Sequence, residues 1–310
     1  MIHDDWQSIA PSAIAPSAIA PSAIAPGACA PTGPGITWLS DWGVAIFSGT
    51  DVQGFLQGYL TSDARALEAR TLSPTALCNI KGRVVVNGWA CGTPSAVTLI
   101  HHASLGGALA SMLALYLKFS KATLANRSEQ VLVFGALDLP PIAEALRLDA
   151  RRQILLCNTV AGASALVANQ PMISRDVWDS ALIEDGIALL SEATRDTFLP
   201  QMLDLPRLGA VSFAKGCYLG QEIVARAQHR GQVKRHLVRL SWTGDAAPAP
   251  GSELLDAAGR ARGQVVMASV QAPAAADAKD AVRAGSALAV LQDDSPFPLS
   301  CASAVFSESP

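Results

Sequence analysis

Val211-Ser212-Phe213-Ala214-Lys215-Gly216-Cys217-Tyr218-Leu219-Gly220-Gln221-Glu222-Ile223-Val224-Ala225-Arg226 is the densest run of chemistry-bearing residues in the chain. Its first three residues predict a short strand, Gly216 a tight turn, and the apolar spacing from Tyr218 onward a helix. Cys217 then falls at a helix N-terminus, where unpaired amides and the positive end of the dipole favour a thiolate. Lys215 adds a cation two residues away. A reactive thiol is one reading of Cys217; an inert, buried cysteine is the other. Glu222, in the first helical turn, complements the dipole.

Downstream, Arg226, Arg230, Lys234, Arg235 and Arg239 follow without an intervening acid, accompanied by His229 and His236. Arg226 and Arg230 are spaced to share a helix face and to offer guanidinium forks to a carboxylate or phosphate, or else they form a plain solvated face. The whole chain carries a net charge of -3. That balance excludes non-specific nucleic-acid or anionic-membrane binding, which needs a positive surplus, so any basic site is local.

Beyond residue 236 short strands (237–242, 264–270, 287–291) alternate with turns rich in Pro, Gly and Asp, as in a small β-barrel or sandwich. Upstream, apolar and β-branched runs at 43–47, 75–80, 84–86, 97–100 and 131–134 predict strands. Asp51 is placed to cap a helix carrying Phe55, Leu56 and Tyr59. Ser104 is placed to cap another carrying Leu105, Leu109, Met112, Leu113, Tyr116 and Leu117. Strands and helices interleave irregularly, and no glycine-rich dinucleotide turn occurs, so the class is α+β. The longest apolar stretch, 103–117, is too short to cross a bilayer and predicts a buried helix.

At 310 residues, 50% hydrophobic and 16% charged, the chain folds and has room for two domains or three small ones. Residues 1–35 stand apart: the pentad Ala-Pro-Ser-Ala-Ile occurs three times from Ala10. Proline at that density forbids helix and sheet, which predicts a disordered tail. The remaining divisions fall at 36–235 and 236–310. The six cysteines (Cys29, Cys78, Cys91, Cys157, Cys217, Cys301) form no CxxC pair. Neither a metal site nor a disulfide framework is expected, and the acidic start predicts no secretory leader; the expected compartment is the reducing cytoplasm, with no membrane contact.

The run KGCYLGQEIVAR, followed by His229-Arg230-Gly231 and Lys234-Arg235, resembles the hallmark of the YgfZ-type folate-binding family, relatives of the glycine-cleavage T-protein. Supporting stretches extend the resemblance from about Leu39 to Leu237. They are Phe55-Leu56-Gln57-Gly58 with Leu60-Thr61-Ser62-Asp63, Lys81-Gly82-Arg83, Ile183-Glu184-Asp185-Gly186-Ile187, and Phe198-Leu199-Pro200-Gln201 before Leu203-Asp204-Leu205. The resemblance implies a T-protein-like three-lobed arrangement, two α+β lobes from 36–235 plus the C-terminal barrel, holding tetrahydrofolate or a folate derivative near the middle. It places Trp42 and Trp178 as folate-associated tryptophans, with Gln221, Arg226 and Arg230 as further folate-binding residues. A flat pterin needs an aromatic or apolar wall, and a glutamate tail needs cations; each tryptophan can equally be ordinary core.

The family's critical residue corresponds to Cys217, with Lys215 beside it in the same motif. The implied role is accessory: support of iron–sulfur cluster assembly or repair and, through it, tRNA modification, with iron–sulfur enzymes or assembly proteins as partners and no direct nucleic-acid contact. Two alternatives stay open, a folate-dependent aminomethyltransferase and an RNA-binding module. Against the first, T-proteins carry a Gly-Gly-x-x-Asp carboxylate where this chain has Lys81-Gly82-Arg83-Val84-Val85-Val86-Asn87, and a valine cannot orient or deprotonate an amine.

Overall fold

The computed structural model describes residues 2–4, 33–271 and 282–309. The repeat pentads, and with them the tail expected over 1–35, lie largely outside the described residues. The chain interleaves two sheets. β1 (Gly35–Trp38) starts one of them, and the chain then leaves to build the other from β2 (Trp42–Gly49), β3 (Ser73–Cys78), β4 (Val84–Thr93), β5 (Ala96–His102) and β6 (Ala122–Asn126). These five stand in the order β3-β4-β5-β2-β6. Only afterwards do β7 (Leu132–Leu137), β8 (Leu146–Arg147) and β9 (Arg152–Cys157) return to β1, in the order β1-β7-β9-β8.

The period of two along the central strands explains why the five-stranded sheet is covered on both faces. In β2, Ala45 and Phe47 enter one core while Val44 and Ile46 face the other. The first core contains Leu56 of α1 (Val52–Leu56), Leu109 and Leu113 of α2 (Gly106–Lys118), and Phe198 and Val224. The second is built on Trp42, Trp89 and Trp178. Asp51 does cap α1, accepting from the Gly54 amide at 3.0 Å.

Ser104 does not cap α2. His102 caps a short 3-10 turn at Ala103–Leu105, α2 begins at Gly106, and the Ser104 hydroxyl accepts from the Glu192 amide at 3.0 Å. Nor is α2 wholly buried as its composition predicts: Leu109 and Leu113 are, but Leu115 is 61% exposed and Phe119, just past its end, 86%. Among the described residues no helix is long and apolar enough to cross a membrane.

Two more helices, α3 (Val160–Ala168) and α4 (Arg175–Glu184), follow β9, and α5 (Gln221–His229) precedes the barrel. The barrel strands are β10 (Arg235–Gly244), β11 (Glu253–Leu255), β12 (Ala261–Val270), β13 (Arg283–Gln292), β14 (Leu299–Cys301) and β15 (Ala304–Glu308), closed in the order β10-β13-β12-β11-β14-β15. Leu240, Trp242, Val265 and Phe306 fill its interior, while Val266, Leu288 and Val290 face the first core. α4 rests on β12: Asp176 accepts from the Val270 amide at 3.0 Å, and the Ser180 and Ser269 hydroxyls bond at 2.9 Å. The architecture is the three-lobed α+β-plus-barrel arrangement expected.

Candidate functional site

The segment carrying Cys217 is neither strand nor helix. The strand expected over 211–213 is an irregular stretch tied by the Ser212 amide to Thr61 O at 2.9 Å. The helix expected from Tyr218 starts instead at Gln221, because Gly220 adopts a left-handed conformation (φ +80°) and breaks the chain direction. Cys217 therefore stands four residues ahead of α5, outside its first turn. Lys215, expected as a cation beside the thiol, is held by backbone carbonyls. Its ammonium donates to Leu60 O at 2.6 Å and Ser62 O at 2.9 Å and lies 5.0 Å from the centre of the Tyr218 ring. Burial pushes its pKa down to about 8. Lys215 thus anchors the loop from within.

What the loop gives Cys217 is exposure. Cys217 is exposed, whereas Cys78 and Cys91 are buried. Burial pushes the Cys78 thiol up to about 12 and the Cys91 thiol to about 11.

The stretches singled out in the sequence converge on this loop. The Leu219 amide donates to Gly58 O at 3.0 Å, and the Tyr218 amide to Gln221 Oε1 at 3.2 Å. Beside Gly220 runs the 79–83 turn, in which Asn79 Oδ1 accepts from the amides of Lys81 (2.9 Å) and Arg83 (3.1 Å). Asn79 Nδ2 reaches Asp196 at 2.7 Å, Arg83 donates to Thr197 O, and Gln201 Nε2 donates to Val224 O at 2.8 Å. Two exposed apolar side chains belong to these segments: Ile80 (73%), and Phe213 (38%), whose ring meets His229 edge-on at 5.5 Å. Arg226 pairs with Glu222 at 3.3 Å on the exposed face of α5, and Arg230 caps the helix end.

A separate cavity of about 310 Å³ opens where the five-stranded sheet, α4 and the barrel meet. Asp41, Trp42, His102, Arg175, Asp179 and Met267 are among its lining residues, and the barrel loop 247–250 covers one side. Trp42 stacks on Trp89 (5.1 Å, 13°) and meets Trp178 edge-on at 5.8 Å. Gly135 of β7 makes room for Trp178: a Cβ there would lie 2.6 Å from the indole. Both Trp42 and Trp178 are fully buried, and their indole N–H groups have no partner.

The charges on the cavity form one array. Arg175 Nε donates to Asp179 Oδ1 at 2.8 Å, Nη2 to Asp41 Oδ2 at 3.1 Å, and Nη1 to Asp41 Oδ1. His102 Nε2 stands 3.4 Å from Asp41. Burial raises the Asp41 carboxyl, but His102 and Arg175 outweigh it and hold it well below the usual carboxylate range. Burial wins at Asp179, pushing it up to about 6 against the pull of Arg175.

The structure thus brings Trp42 and Trp178 together but assigns Gln221, Arg226 and Arg230 to the Cys217 side; none of these three, nor Cys217 itself, lines the tryptophan-backed cavity. The cation on that cavity is Arg175, which the sequence reading missed with Asp41, His102 and Asp179. The available signal was the Arg175/Asp179 pair at helical spacing around Trp178. At the place of the T-protein carboxylate, Val86 is buried. Asn87 is fully engaged, donating to Ala188 O at 2.7 Å and accepting from the Leu190 amide at 2.9 Å.

No family model matches the chain. Among solved structures, it is similar to the glycine cleavage system aminomethyltransferase T of Bartonella henselae. The TM-score is 0.65 at 14% identity, over 89% of this chain and 85% of that one. The fold is therefore that of the T-protein class. Curated relatives narrow the class. The tRNA-modifying protein YgfZ of Klebsiella pneumoniae (strain 342) is 32% identical over 242 residues, 70% of this chain and 74% of that one. That of Enterobacter sp. (strain 638) is 31% identical, over the same shares of the two chains. The chain belongs to the YgfZ family.

Proposed function

We propose that this protein is a folate-binding accessory factor that supports iron–sulfur cluster assembly or repair in the cytoplasm and, through it, tRNA modification. Cys217 is its reactive group. Its clients are iron–sulfur enzymes or assembly proteins, and it makes no direct contact with nucleic acid. The observation that carries the reading is that Cys217 stands exposed on a loop tied to two distant motif segments, 58–62 and 79–83, and that Ile80 and Phe213 are exposed as well. An exposed thiol suits a macromolecular client better than a small substrate enclosed from water. The name of the YgfZ relatives, tRNA-modifying protein, supports the same direction.

The tryptophan-backed cavity fits the pterin end of a folate. Its volume lies at the lower bound of small-molecule sites, roughly 300–1,000 Å³, and it combines an apolar aromatic wall with a few convergent polar groups. Trp42, which lines it, has a buried indole N–H without a protein partner. Bound tetrahydrofolate would supply a carrier of one-carbon units. The chain's own residues bind and orient the ring: Trp42 backs it, while Arg175, Asp41 and Asp179 line it. Aminomethyl transfer is the weaker reading, because Val86 and the fully bonded Asn87 leave no acid at the T-protein position. Direct RNA binding is weaker still, since the chain as a whole is negatively charged.

The test is genetic and chemical. In cells lacking their own copy, the level of thiolated tRNA is measured after supplying the wild-type chain or Cys217→Ala. The wild type should restore it, and Cys217→Ala should not, although it folds and accumulates equally. Full rescue by Cys217→Ala would overturn the proposal.

A further inference from the structure

We propose that Asp179, held in place by Arg175 and Asp41, reads the amino-pyrimidinone edge of the pterin, selecting a ring that presents two adjacent N–H donors. The inference rests on the folate reading above and goes further, assigning recognition to residues outside the family motifs.

The hydrogen bonds within the array decide what it can recognise. Arg175 uses Nε on one oxygen of Asp179 and one N–H of each terminal nitrogen on Asp41. Both oxygens of Asp41 therefore accept already. The second oxygen of Asp179 has no hydrogen-bond partner among the described residues, and the Asp179 side chain keeps 14% exposure at the cavity. Two carboxylates face one guanidinium, with His102 on the far side of Asp41. The site therefore has a carboxylate oxygen to spare, and a second anion such as phosphate or a glutamate tail is the wrong ligand for it.

A ring edge with two parallel N–H groups supplies what is missing, and the carboxylate is the acceptor best matched to such an edge. In the pterin that edge is N3–H and the exocyclic 2-amino group, next to the 4-oxo oxygen. Independently of the acids, Trp42 is wholly buried, lines the same cavity, and carries an indole N–H with no partner. The ring's carbonyl is an acceptor of the kind this donor lacks. The acids set the orientation: with the pyrimidinone edge against Asp179, the rest of the folate projects outward past the barrel loop 247–250.

The test compares pterin with lumazine, the pteridine in which a carbonyl replaces the 2-amino group, by equilibrium titration of the full chain. A polar site left unpaired by the analogue discriminates strongly, so the wild type should bind pterin at least about tenfold more tightly than lumazine. Asp179→Asn keeps the acceptor for Arg175 Nε but turns the free oxygen into a donor. It should lose at least about tenfold in pterin affinity and abolish the preference, at an unchanged melting temperature. If the wild type binds both rings equally, or Asp179→Asn keeps the preference, the inference falls while folate binding stands. If the wild type binds neither tetrahydrofolate nor pterin, the folate reading falls with it.

Discussion

Cys217 differs from the other thiols in access, and its chemistry should follow from that. Cys78 and Cys91 lie in the two cores on either side of the central sheet, with thiols pushed up to about 12 and about 11. Limited alkylation of the native protein near pH 8, read by peptide mass spectrometry, should therefore label Cys217 first and leave Cys78 and Cys91 untouched until the chain unfolds. Labelling of Cys78 at a comparable native rate would contradict the described burial.

Lys215 offers a second check on the same loop. Its two carbonyl contacts favour the ammonium, but burial is the larger effect and lowers it from 10.5 to about 8. Because the folded state then holds this proton less tightly than the unfolded chain, its contribution to stability rises with pH between about 8 and 10.5. After ¹³C reductive methylation, the Lys215 resonance should titrate clearly below those of the surface lysines; co-titration with them would refute its inward placement. The thiol itself was legible in the sequence. The Asp41–Arg175 contact was not, because 134 positions separate the two residues and nothing local marks either.

The turns around the thiol loop depend on two glycines in left-handed conformations. Gly220 has φ +80°, and a Cβ there would lie 2.3 Å from Asn79 O; Gly82 has φ +68°, with Ile223 2.9 Å away. Left-handed strain costs about 1–3 kcal/mol for an ordinary side chain, and here the clash with a backbone oxygen adds to it. Gly220→Ala should lower the unfolding free energy by about 2 kcal/mol or more in urea titration; a change within about 0.5 kcal/mol would show that the Gly220–Asn79 contact is not as described.

Strands were easy to anticipate where both faces are buried, since β4 reads Val84-Val85-Val86 without interruption. Helix ends were harder. The expected start at Tyr218 failed because Gly220 imposes a turn before the apolar spacing can take effect. The expected burial of 103–117 failed because an all-apolar composition hides which face is covered. Leu109 and Leu113 meet the core, while Leu115 stays exposed.

At the level of the whole chain, apolar runs indicated α+β body and barrel, but not that β1 waits for β7 while five other strands are laid down between them. Sequence periodicity specifies a strand's faces and says nothing about its partners. The tryptophan-backed cavity owes its existence to that long-range assembly. It needs the ends of β2 and β5, the start of α4, and a barrel loop from the far end of the chain. Occupancy should therefore tie the lobes together: saturating tetrahydrofolate should slow amide hydrogen exchange in both α4 and the 247–250 loop. Protection confined to α5 would place the ligand on the Cys217 side instead.

The most direct measurement is an equilibrium titration of tetrahydrofolate followed by tryptophan fluorescence, on the wild type and on Trp42→Phe and Trp178→Phe. A saturable change in the wild type, weakened in both variants while melting temperature and Cys217 alkylation stay unchanged, is the predicted result. No saturable change in the wild type, or an identical binding curve in all three proteins, would contradict a pterin site built on these tryptophans.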